Sequence, residues 1–187
     1  MPENTTFPHV HTLIVSCSLN PNSHSALLAA EARRVLETHN APATLLDLRT
    51  FELPLCDGDA AYAHPAVKTL SNTILRADAI LLAAPVYNFD LNAVAKNLIE
   101  LSGDAWANKV VGFLCAAGGQ NSYMSPIGLA NSLMFDFRCH IVPRFVYANR
   151  EAFDQGALVD EGIKGRVAAL VEATTRLAQA LVSVNTA

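Results

Sequence analysis

The sequence has no pair of closely spaced cysteines, no excess of positive charge and no long hydrophobic run. The absence of a C-x-x-C pair excludes a zinc knuckle and a dithiol redox motif. Thirteen Lys and Arg against seventeen Asp and Glu give a net charge of −4, which argues against a nucleic-acid partner because such a protein needs a basic face. The most apolar window, residues 77–86, is far too short to span a bilayer, so we expect no membrane partner.

The composition favours one soluble folded unit. The first ten residues lack the basic stretch and apolar run of a secretory signal, so we expect a cytoplasmic protein with a flexible N-terminal segment at 1–10. With 51% hydrophobic and 16% charged residues, the chain has enough apolar surface to fold. A length of 187 residues favours a single domain spanning 1–187.

Short aliphatic runs alternate with longer stretches whose apolar residues recur at helical spacing, which is typical of βα units on a parallel sheet. The predicted strands are 12–16, 43–48, 79–84, 110–115 and 140–143 continued by 145–146. The predicted helices span about 25–38, 65–76, 92–101, 126–137 and 163–184. We therefore expect an α/β fold of three layers, with a doubly wound five-stranded parallel sheet in the flavodoxin-like strand order 2-1-3-4-5.

In that strand order a ligand binds outside the carboxyl ends of the strands, where the order reverses. Three loops reach this edge of the predicted sheet, 17–25, 85–92 and 116–125. These three loops are the candidate site.

The first loop is rich in hydroxyl and amide side chains and leads into a helix. A helix N-terminus presents unpaired N–H groups, so a phosphate can bind there with hydroxyls completing its hydrogen bonds. Ser and Asn are equally common as simple helix caps, and the loop lacks the glycines of the usual ATP and dinucleotide fingerprints. A Cys17 nucleophile would need a nearby cation, yet no Arg or Lys lies between Cys17 and Ala32, so Cys17 is more simply a small residue at a strand end.

The other two loops suit a flat ligand. Pro85, followed by Tyr87 and Asn88, gives a stiff ledge for a heteroaromatic ring; a hydrophobic loop packed on a neighbour is the alternative. Gly118 and Gly119 let a ligand approach the backbone closely, although a plain turn explains them equally well.

Two other clusters are further candidates. His9 and His11 share one face of a strand, but two histidines without a third ligand are far more often surface residues, so we expect no metal. Asp104 and Trp106 would form part of the rim over a ligand if their loop lies at the carboxyl edge.

Three motifs in these loops resemble the NAD(P)H-dependent FMN reductase family of flavodoxin-like flavoproteins. C-S-L-N-P-N-S-H-S at 17–25 is similar to the family's phosphate loop, G-S-L-R-x-G-S-x-N. P-V-Y-N at 85–88 with V-A-K-N at 94–97 is similar to its P-E-Y-N-x-S-x-P-x-x-L-K-N segment, and A-A-G-G at 116–119 to its S-x-G-G loop. The likeness spans about residues 12–143, with the motifs in the family's order.

The resemblance implies that FMN is the cofactor and indicates which residues bind it. The implied phosphate ligands are Ser18, Asn20, Ser23 and Ser25, with His24 in the same loop. The residues implied to lie against the isoalloxazine ring are Pro85, Val86, Tyr87 and Asn88, with Phe89 beside them. The residues implied to line the other edge of the ring are Gly118, Gly119 and Gln120, with Ala117 before them.

The chain departs from the family pattern at several positions. Asn20 stands where the family has an arginine, so a salt bridge to the phosphate is missing, and Asn22 replaces a glycine. Val86 replaces a glutamate, Phe89 a small residue and Asn92 a proline, which reshapes the substrate face.

By the same resemblance the protein would be an FMN-dependent NAD(P)H oxidoreductase. A hydride would pass from NAD(P)H to bound FMN and then to a small acceptor such as a quinone, an azo or nitro compound or free flavin. Because the flavin supplies the redox chemistry, no catalytic side chain is expected. A homodimer or a dimer of dimers is also implied. Two alternatives stay open: a flavodoxin-like electron carrier that uses protein partners, and a non-catalytic binding module on the same fold.

Overall fold

The aliphatic runs of the sequence form a central sheet in the computed structural model, which describes residues 10–185. The strands are β1 (Thr12–Ser16), β2 (Ala43–Asp47), β3 (Ala79–Tyr87), β4 (Asp90–Leu91), β5 (Val110–Ala117), β6 (His140–Ile141), β7 (Val146–Asn149), β8 (Phe153–Asp154) and β9 (Ala157–Leu158). The helices are α1 (His24–Thr38), α2 (Pro65–Leu75), α3 (Ala93–Ser102), α4 (Ile127–Phe137) and α5 (Glu161–Asn185).

The order of the parallel strands is compatible with the prediction, although two short strands stand in place of the fifth. The strands lie in the order β2-β1-β3-β5, and β6 and β7 both pair with β5 on its outer side. If β6 and β7 are counted as one interrupted strand, the sheet has five parallel strands. Numbered along the chain, these five strands lie in the order 2-1-3-4-5. The α/β, flavodoxin-like fold class is therefore confirmed.

Helices cover both faces of the sheet and give three layers. Helices α1 and α5 pack on one face, where Ile14, Leu28 and Leu170 are buried together. Helices α2, α3 and α4 pack on the other face, around Leu70 and Phe113. All of β5 and all of β3 except its last residue are buried, as expected of central parallel strands covered on both sides. The packing on both faces holds the carboxyl ends of β1, β3 and β5 together at one edge of the sheet.

The fifth strand differs from its predicted course. β6 pairs with the start of β5, and the chain then leaves the ladder until β7 pairs with residues 114–117. Pro143 has no N–H to donate to a ladder, and Arg144 has a φ of +62°, which is outside the range of a strand. The strand resumes at Val146 and continues to Asn149, beyond the predicted end.

The third strand also runs further than its pattern predicts. β3 continues two residues past Pro85 and turns back into β4. Its pairing with β1 stops at Ala83, so the missing N–H of Pro85 leaves no bond to β1 unmade. The turn consists of Asn88 and Phe89, with φ values of +51° and +63°, the left-handed conformation that a two-residue hairpin requires. The residues predicted as a loop are therefore a strand end and a tight hairpin.

Helix α5 is the one helix in the described part of the chain that is long and apolar enough to cross a membrane. Val167, Leu170 and Val171 on its inner side are buried against the sheet. This packing on the sheet accounts for the apolar residues on the inner side of the helix.

The predicted flexible segment, 1–10, lies outside the described residues except for Val10. Val10 is fully buried in the cluster that contains Ile14 and Leu28. At this residue the prediction is wrong, because Val10 is part of the core.

Candidate functional site

The predicted loops meet in a cleft of about 260 Å³ at the carboxyl ends of β1, β3, β5 and β7. The residues that line it are Ser18, Asn20, Asn22, Ser23, His24, Ser25, Pro85, Val86, Tyr87, Ala116, Ala117, Gly118 and Arg150. Ten of the predicted site residues are in this set. Four are not: Asn88, Phe89, Gly119 and Gln120.

The first loop holds itself in place with short-range hydrogen bonds. Asn20 N–H donates to Ser18 Oγ at 3.2 Å, and Asn22 N–H donates to Asn20 Oδ1 at 2.9 Å. Ser23 is the N-cap of α1, its Oγ accepting from Ala26 N–H at 3.4 Å. Ser23 therefore caps the helix and lines the cleft at the same time, so a role as a helix cap does not exclude a role in binding an anion.

Three hydroxyl side chains of this loop are almost buried. Ser18, Ser23 and Ser25 are 2%, 8% and 0% exposed. The hydroxyls of Ser23 and Ser25 share a hydrogen bond of 2.8 Å. They lie beside the first turn of α1, whose N–H groups have no acceptor inside the helix.

His24 is the first residue of α1, and its ring stacks on that of Phe153. The ring centroids are 4.2 Å apart and the planes differ by 10°. Because Phe153 begins β8, the segment after β7 is fixed against the start of α1. Sequence patterning gives no signal for this contact, which joins residues far apart in the chain.

The end of β3 forms the apolar side of the cleft. Pro85 and Val86 are buried, whereas Tyr87 is 56% exposed. The hairpin turn carries Asn88 and Phe89 past the strand end, so neither lines the cleft, and their contact with a flavin stays a prediction. Phe89 is 69% exposed.

Asn92 joins the first loop to the second. Its backbone N–H donates to Pro85 O at 3.1 Å, and its side-chain Nδ2 donates to Cys17 O at 2.8 Å. Asn92 is 5% exposed, so the bond to Cys17 O is shielded from water. The two loops therefore keep a fixed separation.

Tyr147 fixes the third loop. Its hydroxyl donates to Gly119 O at 2.7 Å and accepts from Ser122 N–H at 3.3 Å. Ala117 and Gly118 line the cleft, whereas Gly119 and Gln120 do not, and the contact of these last two residues with a flavin stays a prediction.

Gly118 is open on its cleft side. A Cβ built there would meet no atom within 4 Å, so the packing of the chain does not require a glycine. A ligand that approaches the backbone at this point does require one.

Arg150 is the lining residue that the sequence analysis missed. It starts a 3₁₀ turn, Arg150–Ala152, directly after β7. The turn is capped by Asn149, whose Oδ1 accepts from Glu151 N–H at 3.1 Å. No pattern in the sequence pointed to it, because the predicted fifth strand ends at residue 146 and β7 continues to Asn149, directly before the arginine.

Two other sequence-based candidates do not belong to the cleft. Cys17 is fully buried, and burial raises the pKa of its thiol far above its usual range, which disfavours a thiolate nucleophile. Asp104 and Trp106 precede β5 and so lie at the amino edge of the sheet, where Trp106 is buried and its Nε1 donates to Ser102 Oγ at 2.7 Å. The predicted rim role for Asp104 and Trp106 is therefore wrong.

The residues present fit FMN. Buried hydroxyls, the N-terminal turn of α1 and a guanidinium suit a phosphate monoester. The ends of β3 and β5 give a buried apolar wall with a bare glycine backbone beside it, which suits an aromatic ring.

Comparison with known proteins agrees with this geometry. The model of the family described as NADPH-dependent FMN reductase matches residues 10–154. An NAD(P)H-dependent FAD/FMN reductase from Geobacillus thermodenitrificans is 29% identical over 130 residues, covering 67% of this chain and 70% of that protein. An NADPH:quinone oxidoreductase from Arabidopsis thaliana is 30% identical over 173 residues, covering 86% of this chain and 87% of that protein.

A solved structure shows the same fold. FerB, a flavoenzyme NAD(P)H:(acceptor) oxidoreductase from Paracoccus denitrificans, superposes with a TM-score of 0.74 at 20% identity, covering 91% of this chain and 97% of that one. The family match extends over most of the chain, from β1 to β8. The chain belongs to the NADPH-dependent FMN reductase family.

Proposed function

We propose that the protein is an FMN-dependent NAD(P)H oxidoreductase that reduces a small acceptor such as a quinone, an azo or nitro compound or free flavin. The main observation behind this proposal is a cleft that combines buried hydroxyls and a guanidinium with an apolar wall. A molecule with both a phosphate and an aromatic ring uses all of these surfaces at once. Relatives described as FMN reductase and quinone oxidoreductase support the same activity.

The hydroxyls of the first loop would hold the phosphate. Ser18, Ser23 and Ser25 are already fixed by the hydrogen bonds of the loop, so little side-chain freedom is lost on binding. The N–H groups of the first turn of α1 add donors and a partial positive charge.

The ring would lie against the ends of β3 and β5. Pro85 is rigid in φ, and its carbonyl is held by Asn92 N–H, so this ledge keeps its shape. Val86 and Ala117 are 8% exposed each and exclude water from the wall they form. Gly118 leaves room beside that wall for the edge of the ring.

When bound, FMN supplies the redox chemistry, because the flavin can accept a hydride and pass electrons on. The residues of the chain bind and orient the substrates and need no covalent role. Tyr87 and Phe89, 56% and 69% exposed, offer apolar faces near the cleft to a flat acceptor.

We further propose a cytoplasmic homodimer or dimer of dimers. Helix α4 and the turn before it expose an unusual number of large apolar side chains, a feature typical of an interface between subunits. These residues are Tyr123, Met124, Ile127, Met134 and Phe135. Sedimentation equilibrium with wild type and with Phe135→Glu tests this proposal: we expect a dimer or larger for wild type and a monomer for the variant.

Steady-state oxidation of NAD(P)H with a quinone or an azo dye tests the activity. We expect turnover that depends on FMN in wild type. Gly118→Leu should abolish this turnover without lowering the melting temperature, because the new side chain enters the cleft and not the core. The matched control is Gly165→Leu in α5, where a Cβ also meets nothing within 4 Å, and it should retain full turnover.

Two results would contradict this proposal. FMN bound but not reduced by NAD(P)H would favour the electron carrier. Full activity in Gly118→Leu would show that the reaction takes place elsewhere.

A further inference from the structure

A phosphate monoester carries close to two negative charges at neutral pH, and the first loop has no cationic side chain to balance them. No Arg or Lys lies between Cys17 and Ala32. Arg49 donates to Pro21 O of this loop at 3.3 Å but forms an ion pair with Asp47. Its charge is therefore already balanced outside the cleft.

Arg150 lines the same cleft from the segment after β7. It is the one Lys or Arg among the residues that line the cleft. The carboxylate of Glu151, the next residue, accepts a hydrogen bond at Oε2 from Asn149 Nδ2 at 3.2 Å. Within residues 10–185 the Arg150 side chain forms no ion pair and no hydrogen bond with another side chain.

The position of Arg150 relative to α1 is fixed. Phe153, three residues further along, stacks on His24 with ring centroids 4.2 Å apart. His24 is the first residue of α1 and adjoins Ser23 and Ser25, the two hydroxyl residues that share a hydrogen bond. The stacking thus ties the turn that carries Arg150 to the place where the hydroxyls and the helix N-terminus converge.

We propose that Arg150 is the cation that binds the FMN phosphate in this protein and makes the site selective for FMN over riboflavin. This inference rests on the proposed function, and it identifies a ligand that comes from the end of the fifth strand and not from the first loop. A guanidinium presents a planar fork of donors that matches two phosphate oxygens. The Arg150 side chain is exposed and lines the cleft, so it is free to meet a phosphate bound there.

The affinities of FMN and riboflavin, measured by quenching of flavin fluorescence, test this inference. Arg150→Ala and Arg150→Gln should each weaken FMN about 10- to 100-fold, the usual effect of a lost hydrogen bond to a charged group, and leave riboflavin unchanged. The dependence of FMN affinity on salt should also become shallower. Arg166→Ala is the control, because Arg166 is exposed on α5 outside the cleft, and it should bind FMN like wild type.

A compensating variant sharpens the test. Asn20→Arg places a guanidinium in the first loop, at a residue that lines the same cleft. Combined with Arg150→Ala, it should restore FMN affinity without changing riboflavin affinity. A merely structural role of Arg150 would not be rescued in this way.

The possible results separate the two proposals. If wild type binds FMN and is reduced by NAD(P)H while Arg150→Ala and Arg150→Gln bind FMN equally well, only the role of Arg150 is overturned. Equal losses of FMN and riboflavin would also overturn it, because the ring and not the phosphate would then be affected. Wild type that binds neither flavin would overturn both this inference and the proposed function.

Discussion

Replacement of Asn92 by alanine should loosen the contact between the first two loops. The lost bond, from Nδ2 to Cys17 O at 2.8 Å, is buried, and losing such a bond costs about 1–3 kcal/mol. Oδ1 of Asn92 is also buried and has no hydrogen-bond partner, so its removal offsets part of this cost. Asn92 caps α3 without a side-chain bond to the helix, so no capping energy is lost. We expect a net destabilisation of about 1–2 kcal/mol.

For a chain of 187 residues this destabilisation corresponds to a melting temperature about 2–8 °C below wild type, measured by scanning calorimetry. FMN affinity should fall as well, because the first loop loses its tie to the end of β3. Asn92→Asp removes the donor while keeping the shape and should be at least as damaging. The control is Asn131→Ala on the exposed side of α4. An unchanged melting temperature in Asn92→Ala would refute the reasoning.

Three further predictions concern the thiols, the hairpin and the pH dependence of stability. Cys56 is the one cysteine that is not buried, so Ellman's reagent should modify one thiol rapidly in native protein. Cys56→Ser should remove this fast reaction. A thiol that still reacts rapidly in that variant would contradict the burial of the other cysteines. Phe89→Gly should raise the urea midpoint of unfolding, because a left-handed φ of +63° costs about 1–2 kcal/mol in a residue with a Cβ. The KM for a quinone should rise in the same variant. An unchanged urea midpoint would show that the turn is unstrained. The hydrogen bond from Arg49 lowers the pKa of Asp47, so the pair stabilises the protein above the ordinary carboxyl pKa of about 4, and this contribution is lost as the pH falls through the lowered value. Asp47→Asn should therefore be less stable than wild type at neutral pH and equal to it in strong acid, as measured by urea unfolding, and a constant difference would contradict the assignment.

Much of the fold was predictable because the central strands are buried on both faces. The continuous aliphatic runs of β3 and β5 are typical of strands in a parallel sheet that is covered on both faces. The alternation with helical periodicity then determined the fold class. The rule that ligands bind at the carboxyl ends of the strands correctly predicted that the three loops meet in one cleft. The rule could not specify which side chains of each loop line that cleft.

The errors came from places where tertiary contacts decide local structure. Pro143 and Arg144 interrupt the fifth strand, and its continuation through β7 depends on pairing with β5, which no local pattern encodes. Because the predicted fifth strand ended at residue 146, Arg150 fell in the predicted connection between that strand and the last helix. Asn88 and Phe89 lie outside the cleft because they form a turn whose left-handed conformation a phenylalanine does not predict.

The visible absorption spectrum of the purified protein, recorded after incubation with FMN and desalting and again after anaerobic NAD(P)H, tests the central claim most directly. FMN should stay with the protein, and its absorption should bleach when NAD(P)H is added. Protein that emerges from the column without flavin would contradict the assignment of the cleft, and bound flavin that stays oxidised would contradict the reductase activity.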